Sequence, residues 1–178
     1  MLSCASPPDE GTGGDRNVVE LRRLPIDTMS AVLTRSDAQF DPSVSSDGNG
    51  SLKIETDEPT VVRLYEVGPI DIEDARLIYQ ARVRTSDVKG RVYLEMWCHL
   101  PEKGETHSRG IDTALSGTTR WTTQRTAFPL QKGHRPDNVR LNLVVDGTGT
   151  AWIDDIRLLR APLEEDAPAS DPPPPDPD

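Results

Sequence analysis

A chain of 178 residues with a net charge of -10 is long enough for one domain with a real core. Hydrophobic residues make up 34% and the mean hydropathy is -0.56; no stretch approaches the roughly 20 apolar residues of a membrane-spanning helix. Residues 17–160 hold 21 acids against 19 bases, so the charge excess lies in the ends, and the body has no basic stripe for nucleic acid.

Residues 1–16 are rich in Gly, Pro and Asp and read as a flexible tether. The opening Met1, Leu2, Ser3, Cys4 resembles the end of a bacterial lipoprotein signal. There a small residue, here Ser3, precedes a cysteine that is acylated, and a Pro/Gly/Asp-rich tether follows. The hydrophobic region that precedes such a cysteine is not in the sequence. The resemblance implies an extracytoplasmic protein anchored to a membrane through Cys4, with chance similarity as the alternative. Cys4 lies in the tether and Cys98 in a predicted strand, so no disulfide is expected between them.

Next come short β-branched and aromatic runs at 18–24, 51–56, 60–67, 76–85, 91–100, 120–128, 138–146 and 150–160. Turn signals separate them: Asp47-Gly48-Asn49-Gly50, Glu58-Pro59, Gly68-Pro69, Val88-Lys89-Gly90, then 101–104 and 133–137. No window supports a long amphipathic helix. Many short strands with frequent turns predict an all-β antiparallel sandwich or barrel over 17–160. Beyond it, 161–178 carries Glu164, Glu165, Asp166, Asp171, Asp176, Asp178 and four consecutive prolines from Pro172, with no Lys or Arg; it reads as an acidic disordered tail.

Side chains alternate between the faces of a strand. Val92, Leu94, Met96, Cys98 and Leu100 form an apolar face opposite Arg91, Tyr93, Glu95, Trp97 and His99. Leu77, Tyr79, Ala81 and Val83 oppose Arg76, Ile78, Gln80, Arg82 and Arg84. Val139, Leu141, Leu143 and Val145 oppose Arg140, Asn142, Val144 and Asp146. Such strands are half-buried and antiparallel. In the closing strand, strict alternation puts Trp152, Asp154, Ile156 and Leu158 on one face and Ile153, Asp155, Arg157 and Leu159 on the other.

The order of these segments carries a resemblance over about residues 40–160. It runs through Gly50-Ser51-Leu52-Lys53-Ile54-Glu55, residues 75–85, Thr119-Arg120-Trp121-Thr122-Thr123-Gln124, residues 139–147, and Ala151-Trp152-Ile153-Asp154-Asp155-Ile156. The set resembles the jelly-roll carbohydrate-binding modules of the galactose-binding-like superfamily. The family's N-terminal Asn-Gly-Gly-Phe-Glu-like opening is missing. The resemblance implies a jelly-roll β-sandwich and a glycan ligand. It also implies a core role for Trp121 and a structural calcium ion ligated by Asp154, with Asp155 as the fallback and Glu55 and Asp57 as partners by position. Trp152 is likewise expected in the core. Without a metal, Asp154 would accept N–H groups or an Arg.

The candidate binding face is Tyr93, Glu95, Trp97 and His99, joined by Gln80, Arg82, Arg140 and Asn142 if their strands are neighbours. An aromatic ring offers a platform for the C–H face of a sugar, and amide, carboxylate and guanidinium groups meet its hydroxyls. The plain alternative is a solvated face with cross-strand pairs. Asp47 to Ser51 is a turn rather than an EF-hand loop, because Leu52 stands where that loop needs Gly. His99, His107 and His134 lack metal-ligand spacing and read as solvated. No Gly-x-Ser-x-Gly, His-Glu-x-x-His or phosphate loop occurs, and Glu95 has no partner carboxylate in sequence for glycoside hydrolysis. The expectation is a non-catalytic extracytoplasmic binding module for a glycan or surface polysaccharide. The alternative is a structural or protein-interaction lipoprotein with Arg76, Arg82, Arg84 and Arg91 as its partner surface.

Overall fold

Two long strands organise the molecule, described by a computed structural model for residues 17–29, 32–34 and 36–163. The lipoprotein-like Cys4, the tether and residues 164–178 of the tail lie outside the described residues. Among the described residues the strands are β1 (Val19–Leu24), β2 (Ala38–Asp41), β3 (Ser51–Thr56), β4 (Thr60–Val67), β5 (Ala75–Leu100), β6 (Gly104–Arg109), β7 (Leu115–Leu130) and β8 (Asn138–Ala161). A 3-10 turn lies at Ile111–Thr113. All strand pairs are antiparallel: β5 pairs with β8, β6 and β7, and β8 also with β1, β3 and β4.

β5 and β8 pair from Arg76↔Ala161 to His99↔Asn138. The sheet bends midway, where Gly90 faces Gly147. Here Gly90, Gly147 and Gly149 take φ values of 124°, 151° and 128°. The expected turn at Val88–Gly90, and Asp146–Gly149 opposite it, are therefore corners inside continuous strands, as happens when a bend keeps its ladder. The bend folds the apolar faces onto each other. Leu77, Tyr79, Ala81 and Val83 from one half share a buried cluster with Val92, Leu94 and Met96 from the other. Each buried aliphatic side chain adds about 1.5–3 kcal/mol. β6 and β7 meet along one side, where Ser108 Oγ lies 2.6 Å from Thr126 Oγ1 and donates to Ala127 O at 2.7 Å. The result is the antiparallel jelly-roll sandwich expected from the sequence. Cys98 is buried in it, and burial pushes its thiol up to about 12.

The closing strand departs from strict alternation. Ile153, Ile156 and Leu158 are all fully buried in the core, which places Trp152 and Asp154 on the outer side. The register with β5 slips by one residue between Gln80↔Arg157 and Arg82↔Asp154. Asp155, at φ 48°, is the extra residue of this bulge. The face assigned to Ile156 and Leu158 with Asp154 is corrected accordingly. Trp121 and Trp152 are also corrected: neither belongs to the buried core, and both are half-buried.

Tyr79 is wholly buried, and among the described residues its hydroxyl has no hydrogen-bond partner. An unpaired buried hydroxyl costs about 1–3 kcal/mol. Tyr79→Phe is therefore expected to raise stability by about 1 kcal/mol in urea unfolding. A loss of that size would show that the hydroxyl is hydrogen-bonded after all.

Candidate functional site

The outer face of β4, β8, β5 and β6 is a grid of side chains. Cross-strand registers fix its rows. Val61, Val144 and Tyr93 form the first. Arg63, Asn142, Glu95 and Arg109 form the second. Glu66, Arg140, Trp97 and His107 form the third, and Asn138, His99 and Glu105 the fourth. Six of the eight expected site residues therefore share one face: Tyr93, Glu95, Trp97, His99, Arg140 and Asn142. Gln80 and Arg82 lie beyond the corner, on the outer face of the other half. There Gln80 Oε1 accepts from Arg125 Nε at 2.6 Å, and Arg82 donates to Thr123 Oγ1 and to Trp121 O.

Glu95 is the hub. Its side chain is 6% exposed. Oε1 accepts from Trp97 Nε1 at 2.8 Å and Asn142 Nδ2 at 3.0 Å, and Oε2 from Arg109 Nε at 2.6 Å. Burial pushes this carboxyl up; the hydrogen bonds from Trp97, Asn142 and Arg109, with the charge of Arg109, outweigh it and hold it below the ordinary range. An ionised carboxylate accepts only, so the amide of Asn142 must aim its NH2 at Glu95. Its Oδ1 is then buried with no partner among the described residues.

Trp97 is held from three directions. Its N–H is fixed by Glu95, the Arg140 guanidinium lies 5.6 Å from its ring centroid, and the His107 ring centroid lies 4.8 Å away at 39°. The indole is half-buried rather than a bare plate. Arg140 also donates to Glu105. His99 stands on β5, not in a loop, with Nδ1 2.6 Å from Asp137 Oδ1. Tyr93 is buried. Arg63, Glu66, Arg109 and Asn138 escaped the sequence reading, and Glu105 and His107, read there as loop residues, stand on β6. Alternation along β4 would have found Arg63; β6 was hidden because 101–104 reads as a turn.

Asp154 is 2% exposed. Its Oδ2 accepts from Ser46 N at 2.9 Å and Ser46 Oγ at 2.6 Å, and its Oδ1 from Asp155 N at 2.7 Å. Asp155 pairs with Arg23 and Arg157, and Glu55 with Lys53. Donors surround Asp154 where a cation requires oxygens. Among the described residues no three His, Cys, Asp or Glu side chains gather as a metal site. As arranged, these residues do not form a calcium cage; Asp154 ties the loop before β3 to β8. Asp154→Ala should cost about 2 kcal/mol in urea unfolding, the range for stranding buried donors. EDTA should leave the melting temperature of the native protein unchanged; a fall on chelation would restore calcium here. The neighbouring Asp41 is drawn down to about 2 by hydrogen bonds from Ser43 and Trp152, with backbone N–H groups assisting against burial.

The arginines considered as a partner surface are mostly engaged. Arg91 pairs with Asp146 at 2.8 Å, Arg76 donates to Pro162 O, and Arg82 is spent as above. Arg84 differs: its guanidinium lies 5.5 Å from the Trp152 ring centroid.

No protein-family sequence model matches the chain, and no curated protein sequence matches it. Solved structures do. The xylan-binding family 22 carbohydrate-binding module of Paenibacillus barcinonensis superposes with a TM-score of 0.58 at 12% identity, covering 84% of this chain and 96% of that one. A family 16 carbohydrate-binding module gives 0.54 at 14% identity, covering 73% and 91%. The same fold recurs inside an enzyme, a Clostridium thermocellum xylanase, at a TM-score of 0.53 and 11% identity over 76% of this chain and 27% of that chain. The architecture of this chain, two bent central strands closed into a jelly roll, is that of the carbohydrate-binding modules.

Proposed function

We propose that this chain is a non-catalytic module that binds a glycan across the rows of Arg63, Asn142, Glu95, Arg140, Trp97 and His107. The observation that carries the reading is the half-buried Trp97 indole on this outer face, its N–H held by Glu95 and its ring set between Arg140 and His107. Trp97 and His107 supply apolar surface for C–H groups, and Arg63 and Arg140 supply donors to ring and hydroxyl oxygens. The xylan-binding structural neighbours support the ligand class. Glu95 is tied to three donors, an orienting role rather than an acid–base one. Action outside the cytoplasm, with Cys4 acylated, belongs to the same proposal and rests on Met1 to Cys4 alone; labelling with a radioactive fatty acid in cells tests it.

The binding test is calorimetric titration with soluble xylan, mixed-linkage glucan and galactan. Trp97→Ala is expected to weaken the bound member by about 2 kcal/mol, roughly 30-fold. Circular dichroism checks that the variant folds. Unchanged affinity would move the site off this face, and no binding to any of the three would remove the glycan reading.

A further inference from the structure

The outer face of the other half holds a second group of aromatic and cationic side chains. β7 slips register against β5 between Val83↔Thr122 and Thr85↔Thr119, so two β7 residues, Arg120 and Trp121, stand opposite the single Arg84. Such a bulge re-aims side chains. Arg84, Thr118, Thr119, Arg120 and Trp121 line a shallow depression of about 580 Å³. On the other side of Arg84 lies Trp152, its cross-strand partner. Adjacent strands are about 4.8 Å apart, so Trp121 and Trp152 bracket Arg84 over roughly 10 Å.

Among the described residues no carboxylate pairs with Arg84 or Arg120, although the protein carries 30 acidic residues against 20 basic ones. The carboxylate of Asp87, three residues on from Arg84, accepts from Ser86 Oγ. Two unpaired forks beside a half-buried indole and a threonine pair offer a site for a ligand that carries a carboxylate on a ring with an apolar face.

We propose that the depression formed by Arg84, Arg120 and Trp121 binds a uronic acid residue of an acidic polysaccharide. Trp121 takes the C–H face of the sugar, the guanidiniums take the carboxylate, and the Thr118 hydroxyl meets a ring hydroxyl. The class of ligand rests on the glycan-binding reading; the site does not, since the two faces lie on different halves of the sheet. A chain that presents two such faces can bridge a neutral and an acidic stretch of polymer.

The full chain is titrated with an oligogalacturonate, with xylohexaose and with polyglutamate of matching charge. The Arg84→Gln/Arg120→Gln double variant and Trp121→Ala should each weaken oligogalacturonate binding by about tenfold or more. Raising salt from 0.05 to 0.5 M should weaken it too, because the guanidiniums are exposed. Trp97→Ala should leave it intact. Xylohexaose, if the first face binds it, should respond only to Trp97→Ala; its failure to bind removes that face and leaves this one standing. The proposal is overturned if oligogalacturonate does not bind, if the double variant binds it as tightly as the native protein, or if polyglutamate binds equally well. The last result would mark a patch that senses charge and not sugar.

Discussion

Gly147→Ala is expected to lower stability by about 3 kcal/mol or more, a melting-temperature fall of roughly 6–12 °C for a domain of this size. A Cβ on Gly147 would sit 1.9 Å from Lys89 O and 2.9 Å from Gly90 Cα. Both obstacles are backbone of the strand paired with it, so no side chain can swing clear. The residue also sits at φ 151°, which L side chains rarely adopt. Gly104→Ala is the control. It has φ 79° but nothing within 4 Å of the added carbon, so it should cost only the conformational term, about 1 kcal/mol. Thermal melts followed by circular dichroism compare the two. If Gly147→Ala melts with Gly104→Ala, the two long strands do not touch at the corner and the continuous bent ladder is wrong.

That corner also shows where the sequence was legible. The faces of β5 and β8 follow from alternation alone: Leu77 to Val83, Val92 to Leu100 and Val139 to Val145 are all buried as their pattern demands. The same glycines that signal a turn also permit a corner, and local chemistry does not tell the two apart. The break in alternation at Asp155 had no marker, because an Asp in the left-handed region is allowed by its side chain and not announced by it. Trp121 and Trp152 were misplaced for a related reason. A large aromatic fits a core or the outer face of a sheet equally well, and only the register decides. The candidate face was legible as far as β5 and β8 reach. Its β6 rim, with His107 and Arg109, was not, since Gly104, Glu105 and Thr106 read as loop and form a strand by pairing with Cys98, His99 and Leu100.

Glu95→Ala is expected to cost about 2–3 kcal/mol and to weaken glycan binding without Glu95 touching the sugar. Removing one partner of a buried charged pair costs about 3–5 kcal/mol; the Arg109 side chain, 41% exposed, can turn to water and recover part of that. Asn142, 5% exposed, cannot, and would have neither amide atom paired. Trp97 would lose the bond that fixes its ring between Arg140 and His107. Glu95→Gln is the sharper probe. Its NH2 must face one of the donors, so it should cost roughly 1 kcal/mol at neutral pH. Because the folded carboxyl is held below the ordinary range, the stability it adds is complete above that range and is lost as pH falls through the folded value. The stability gap between the native protein and Glu95→Gln should therefore narrow from neutral pH to an acidic pH below the ordinary carboxylate range, as the native residue takes up a proton. Asp41 titrates in both proteins and cancels. Paired urea unfolding at the two pH values measures the gap. A gap that stays constant or widens in acid would mean that Glu95 is not the ionised centre of this face. The fixed orientations of Asn142 and of the Trp97 ring, on which the binding proposal rests, would then fall with it.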